Sequence, residues 1–414
     1  MAEWVEDKLA ALGATVERLT HEEAPDVLLG RLGTGHKTLL FYNHYDVQPV
    51  DPIAEWLSPP FEPAIRNGVL YARGVSDNKG DLVARLAALE VYGEANGELP
   101  VAVKMLVEGE EESGSKSFHE IVDRNRSKLN ADGCIWEGQN IDHSGRPVLV
   151  FGSKGMAYVE LNHRGLDEDQ HSSYAVHAPS PAWHMIEALA TLRAPDGRVL
   201  IDGFYDDAIP PSDEDLETLR NYPFDEAAEL RRLGARSFVG DLTGLELLKW
   251  YFFEPTCNLA GIISGFTVPG ASKTVLPKQA MAKLDMRLVP DQDPYDIVDK
   301  LRVHLDKRGF DDIEISTFSM EYPVRSKPGF PLGRAAIEAA REVFEKTPAV
   351  APMMIATGPM HVIAGTLGVP TVSPAGVCRP DSAIHAPNEN CRLDDYLKII
   401  EYTVAYLDGF AHAE

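Results

Sequence analysis

The chain has 414 residues, 44% hydrophobic and 25% charged, with 39 Lys+Arg against 64 Asp+Glu and a net charge of −25. At about 150 residues per domain this makes two to three domains, or one large domain with an insert, and the composition excludes disordered, collagen-like and disulfide-scaffold classes. So acidic a surface repels phosphate backbones and anionic lipid, so neither nucleic acid nor a membrane is expected as a partner.

Near the N-terminus, Trp4, Val5, Leu9 and Leu12 share one face of a predicted helix. This segment has no basic stretch followed by an apolar one, so no secretory signal is expected. Residues 27–29 and 38–42 read as strands, and the second runs into Asn43-His44-Tyr45-Asp46. After a proline-rich loop and the turn Asn67-Gly68, Leu82, Leu86 and Leu89 predict a helix over 81–92. Strands follow at 101–107 and 131–136, ending in Glu108-Gly109-Glu110-Glu111-Glu112 and in Glu137.

Beyond about residue 155 the pattern changes. Residues 158–162 alternate like a half-exposed strand, 181–193 are helical, and 196–255 are acidic, irregular and partly helical. Strands at 259–264, 280–289 and 313–318 surround a helix at 293–308, so the outline is β-α-β-β-α-β, as in a ferredoxin-like module. A helix at 334–344, a buried strand at 370–373 and a last helix at 393–410 complete the chain. The expectation is an α/β domain, residues 1–155 and 321–414, interrupted by an inserted α+β domain, residues 156–320. No apolar run approaches the length of about 18 residues that a membrane helix needs. Cys134, Cys257, Cys378 and Cys391 form no Cys-x-x-Cys pair, which suits a reducing, cytoplasmic setting and speaks against a thiolate zinc site.

The chemistry-bearing residues gather where strands end. Phe41 leads to His44 and Asp46, Val107 to the glutamates, Ile135 to Glu137, and Ser373 into the loop holding His385. Singly, each is ordinary: a lone His-x-Asp is usually surface, a glutamate run a solvated face, Asp77 before a helix an N-cap. Their repetition at the carboxyl ends of core strands is not ordinary, because ligands of α/β sheets bind there. Two divalent ions need about three protein ligands each with open positions, and imidazole with carboxylate suits zinc or manganese. Adjacent glutamates can then divide the roles of ligand and general base.

Competing motifs fail. Gly30–Thr38 has the glycines of a phosphate-binding loop, but His36 intrudes before Lys37 and a strand follows instead of a helix. Residues 77–81 begin like a calcium loop without its later glycine and glutamate. No Gly-x-Ser-x-Gly elbow occurs.

The strings FYNHYDVQP, ARGVSDNKG and EGEEESGS resemble the dinuclear zinc family of carnosinase-type dipeptidases, aminoacylase, acetylornithine and succinyl-diaminopimelate deacylases and glutamate carboxypeptidase, over about residues 40–410. The resemblance implies a zinc-aminopeptidase-like catalytic domain, a mixed sheet between helices, interrupted by a ferredoxin-like lid that dimerises. It implies that His44, Asp77 and Glu137 hold one metal and Asp77, Glu112 and His385 the other, with Asp46 orienting His44 and Glu111 as base. In the insert it implies that His171 reaches the partner's active site to stabilise the oxyanion, and that Arg287 and Asn258 contact substrate. Two departures stand out. The usual Arg-x-Gly-Gly-Ser loop is here Ile355–Met360, with only Gly358 kept, and Glu137 replaces the aspartate usual in the dipeptidases.

The expected function is therefore a metallopeptidase that cleaves dipeptides or short peptides. Two divalent ions are expected, zinc first and manganese or cobalt otherwise, in a cytoplasmic homodimer. The alternatives are an N-acyl-amino-acid deacylase with the same machinery and a non-catalytic, metal-stabilised binding protein, which would have no use for a spare base at Glu111.

Overall fold

Thr38–His44 is buried at six of its seven positions, as a strand covered on both faces must be. In the computed structural model, which describes every residue from Met1 to Glu414, it lies inside a six-stranded sheet. The order is Thr15–His21, Ala24–Leu32, Ala102–Glu108, Thr38–His44, Gly133–Ile135 and Thr371–Val372. The first two connections across the sheet are antiparallel and the remaining three parallel. Parallel pairing sets His44 opposite Glu108, so the strand ends that carry His44, the glutamates and Glu137 emerge on the same side. The core joins Phe41, Met105 and Ile135 of the sheet to Leu82 and Leu89 of one helix and Tyr402, Tyr406 and Phe410 of another.

The helix expected at 81–92 runs Lys79–Asn96. Gly93 is carried inside it, and the stop comes at Gly97, whose φ of 82° gives the left-handed C-cap that glycine adopts without strain. Leu393–His412 and Pro331–Phe344 are the other long helices of this unit. The phosphate-loop lookalike is the link between Ala24–Leu32 and Thr38–His44, and a Cβ on Gly35 would lie 2.5 Å from Val101 Cα.

The chain forms two units: Met1–Gly152, Arg325–Met354 and Pro359–Glu414 in one, Ser153–Val324 and Ile355–Gly358 in the other. Residues 1–155 and 321–414 were expected wholly in the first; residues 153–155, 321–324 and 355–358 group instead with the second, where Thr357 Oγ1 donates to Gly155 O at 3.1 Å. The second unit holds a four-stranded antiparallel sheet in the order Asn258–Ser264, Gln279–Leu288, Gly155–Arg164, Glu314–Glu321. Helices Pro181–Ala190 and Pro294–Asp306 supply the two crossovers of a β-α-β-β-α-β chain. Ala157, Val159 and Leu161 alternate with half-buried residues and pack with Met185, Ile297 and Leu301. Both helices open on proline after a capping side chain, Ser180 and Asp293, a pairing that presets the first turn. Within 196–255 the helices are Asp213–Arg220, Glu226–Leu233 and Gly244–Phe253.

Candidate metal centre and active site

His44 closes its strand fully buried. Its Nδ1 meets Asp46 Oδ1 at 3.2 Å and its Nε2 meets Asp77 Oδ1 at 3.0 Å. The second oxygen of Asp77 faces His385 Nε2 at 3.1 Å, and His385 also lies 3.2 Å from Glu112 Oε2. Two groups of donors result, His44–Asp77–Glu137 and Asp77–Glu112–His385, with the donor atoms of each within 4.8 Å of one another. Asp77 belongs to both. All five donors expected from the sequence are thus brought together.

Charge explains why such a cluster suits cations. Asp46, Asp77, Glu111, Glu112 and Glu137 face two imidazoles. Burial works against a charged His44, yet its hydrogen bonds to Asp46 and Asp77, with the charges of Glu137 and Glu111, together raise its pKa well above the usual value. His385 is lifted to about 10 by hydrogen bonds to Asp77 and Glu112. Asp77 is held below the normal carboxylate range by those same imidazoles, against the opposing effect of burial. Glu137 goes the other way: burial, then the charge of Glu111, pushes it well up. Its Oε1 is buried with no hydrogen-bond partner. An orphaned carboxylate oxygen beside histidine and aspartate donors fits a divalent cation.

Glu111 and Glu112 diverge although adjacent. Glu112 is tied down, accepting from Gln48 Nε2 at 2.9 Å, while its own backbone N–H donates to Asp46 at 2.9 Å. Glu111 belongs to neither donor group. Its pKa is raised to about 7, first by burial and then by Asp77, Glu112 and Asp46, with His44 opposing. Glu110 turns away and accepts from Ser117 N at 3.1 Å.

The supports behind the donors were not foreseen. Glu389 accepts from the backbone N–H groups of Gly74, Ser76 and Asp77 at 2.8–3.0 Å and from Arg73 Nη1 at 2.7 Å, fixing the turn that presents Asp77. Asp81, read only as part of a failed calcium loop, is buried and accepts from Val377 N at 2.9 Å. Glu108 accepts from Ser115 Oγ at 3.1 Å and from Tyr42, whose ring stacks 3.6 Å from that of Trp136, the neighbour of Glu137. Burial lifts Glu108 to about 8. The one available signal was adjacency to a donor in sequence, which single acidic residues do not make distinctive. His385 itself has a φ of 62°, left-handed backbone that a side-chain-bearing residue adopts at a cost of about 1–2 kcal/mol.

These donors sit in one stretch of pattern that is shared widely. The profile of the Peptidase family M20/M25/M40 matches residues 40–409. The chain belongs to this family. It is 30% identical over 320 residues to the Beta-Ala-His dipeptidase of Rattus norvegicus, a match that takes in 72% of this chain and 64% of the rat protein, under two thirds of its length. Against the Cys-Gly metallodipeptidase dug1 of Schizosaccharomyces pombe it is 26% identical, with 99% of this chain and 90% of the other covered. Among solved structures, the M20 family metallo-carboxypeptidase Sso-CP2 from Sulfolobus solfataricus is 40% identical with a TM-score of 0.91, covering 99% of this chain and 93% of that one. The Schizosaccharomyces pombe relative is named a metallodipeptidase and the Sulfolobus solfataricus one a metallo-carboxypeptidase, and the two donor groups give this chain candidate metal-binding residues.

The four remaining expected residues lie in the second unit. His171 is exposed, with Nδ1 2.9 Å from Ser173 Oγ. Arg287 donates to Thr357 Oγ1 at 2.7 Å and pairs with Asp285 at 3.3 Å, so it grips the short loop that contains Gly358. Gly358 has nothing within 4 Å of where a Cβ would stand. Asn258 edges a cavity of about 560 Å³ with Arg193, Trp250 and Cys257. No helix is long and apolar enough to cross a membrane.

Proposed function

We propose that the chain is a metal-dependent peptidase hydrolysing the amide bond of dipeptides or short peptides, with two divalent cations, zinc in first place. One observation carries this reading: two donor groups share Asp77, and the half-buried Glu111 stands outside both. When bound, the cations supply Lewis acidity and make a water acidic enough to attack near neutral pH. His44, Asp77 and Glu137 hold one and Asp77, Glu112 and His385 the other, with Asp46 orienting the His44 ring from Nδ1. Glu111 takes the proton of the attacking water and passes it to the leaving amine, as a carboxylate outside both donor groups is free to do. His171 donates to the developing oxyanion, and Arg287, Asn258 and Gly358 meet the rest of the substrate. The second unit serves as lid and dimer interface. The buried free thiols of all four cysteines support a cytoplasmic location.

On a dipeptide, a dipeptidase and a carboxypeptidase cut the same bond, so the relatives' names agree for that substrate; tripeptides separate them. Glu137 in place of aspartate favours a second reading, an N-acyl-amino-acid deacylase. The test restores zinc, manganese or cobalt separately to stripped protein and assays dipeptides, tripeptides and N-acetyl amino acids. Dipeptides are expected to be hydrolysed fastest; a protein fully active without metal sinks the reading. Glu111→Gln should keep its metals and lose roughly 10²–10⁴-fold in turnover, whereas Glu112→Gln should lose metal. Reversed phenotypes would exchange the two roles.

A further inference from the structure

We propose a third cation site, in the second unit, formed by His163, His184 and Asp312 and suited to zinc. The three residues come from separate elements. His163 is the penultimate residue of strand Gly155–Arg164, His184 lies in the first turn of helix Pro181–Ala190, and Asp312 stands in the turn before strand Glu314–Glu321. Their donor atoms lie within 4.8 Å of one another. His184 Nε2 is 2.7 Å from Asp312 Oδ1, and His163 Nδ1 is 3.5 Å from Asp312 Oδ2. None of the three belongs to the donor groups around Asp77.

The second of those distances carries the weight. His163 is 7% exposed, and its Nδ1 has no hydrogen-bond partner. A carboxylate only accepts, so without a cation both ring nitrogens facing Asp312 need a proton, and the His163 contact is too long to use one. A cation uses both nitrogen lone pairs and the carboxylate charge at once. Donors about 2.0–2.1 Å from a tetrahedral zinc stand about 3.4 Å apart; the His163–Asp312 spacing of 3.5 Å matches this, and the His184–Asp312 pair at 2.7 Å would open slightly on binding. The rings already converge, with centroids 4.4 Å apart and planes tilted 36°. Phe310, 5.0 Å from the His184 ring, walls one side. Asp312 is half exposed, which leaves a fourth position open to water. Two imidazoles and one carboxylate select zinc, cobalt or nickel over magnesium or calcium. The bound ion would staple strand, helix and turn at one end of the second unit's sheet.

The test uses the full-length protein loaded with zinc and freed of excess, with zinc per chain measured by elemental mass spectrometry. His184→Ala and Asp312→Ala should each hold one ion per chain fewer than the unaltered protein. A residue-resolved measurement accompanies it. At ten times its Kd zinc fills about nine-tenths of such a site, so carbethoxylation of His184, followed by peptide mass mapping, should slow about tenfold. Asp312→Ala, at an exposed position, should abolish that protection even if His184→Ala fails to fold. Equal zinc content in the unaltered protein and Asp312→Ala, or a His184 rate indifferent to zinc, overturns the proposal. Neither readout involves peptide hydrolysis, so both stand apart from the catalytic reading.

Discussion

A carboxyl group buried with one oxygen unpartnered keeps its proton to higher pH, and Asp81 is such a group. Burial lifts it from 3.8 to about 6, with Arg85 opposing, and its Oδ2 has no partner. Because the folded state holds this proton more tightly than the unfolded chain, the group disfavours folding progressively as pH rises from about 4 to about 6. Asp81→Asn cannot ionise, so its stability relative to the unaltered protein should climb through that window, by about 3 kcal/mol at most. Denaturant melts of chelated protein at pH 4, 5, 6 and 7 check this; parallel curves would remove Asp81 as the cause. At this scale the candidate metal donors were legible, since cation chemistry demands His, Asp and Glu and the family strings mark their spacing. Asp81, Glu108 and Glu389 were not, because a buried acidic residue looks like any other in sequence until its partners are known.

The loops after strands Gly133–Ile135 and Thr371–Val372 touch through two glycines. A Cβ on Gly376 would lie 2.4 Å from Asp81 Oδ2 and 2.6 Å from Gly138 Cα, while Gly376 N donates to Gln139 O at 2.7 Å. Gly376→Ala must therefore push these loops apart, costing about 1–3 kcal/mol and displacing Glu137. A lower melting temperature together with weaker metal retention is expected. Gly358→Ala, where the space is open, should leave the melting temperature unchanged and alter KM alone if the loop meets substrate. Among the elements, those with a full apolar face were readable. Thr15–His21 was missed because only Leu19 is buried in this edge strand, which leaves little hydrophobic period to detect. Val148–Val150 and Ala349–Ala351 are three-residue strands that pair in parallel with each other. They lie some 200 residues apart in sequence, a pairing that local pattern cannot reveal.

For the whole molecule, the proposed dimer has a concrete edge. Asn258–Ser264 ends the second unit's sheet, and Leu259, Ile262 and Ile263 are 45–51% exposed, an apolar edge of the kind that pairs with another strand. Ile262→Asp with Ile263→Lys should yield a monomer by light scattering; an unchanged dimer would place the interface elsewhere. The partner's role is tested by complementation. His171→Ala should lose about 10²–10³-fold in turnover, the usual loss for one oxyanion donor, without losing metal. Co-expressed with Glu111→Gln, it should regain activity, since one site of the mixed dimer then has both groups intact. No rescue in a confirmed mixed dimer would remove the cross-subunit role.

The sequence by itself determined where the sheet's buried parallel strands end and which candidate donor residues stand at those ends, because a buried parallel strand is a continuous apolar run and cation chemistry admits few residue types. It also carried the alternation of a β-α-β-β-α-β insert, since a one-sided sheet leaves a period of two. Only the tertiary structure decided what holds the donors in place. The clamp of Glu389 on the Asp77 turn, the close approach of Gly138 and Gly376 and the meeting of His163, His184 and Asp312 join residues some 20 to 300 positions apart. Such contacts depend on how whole elements pack, and no local periodicity encodes them.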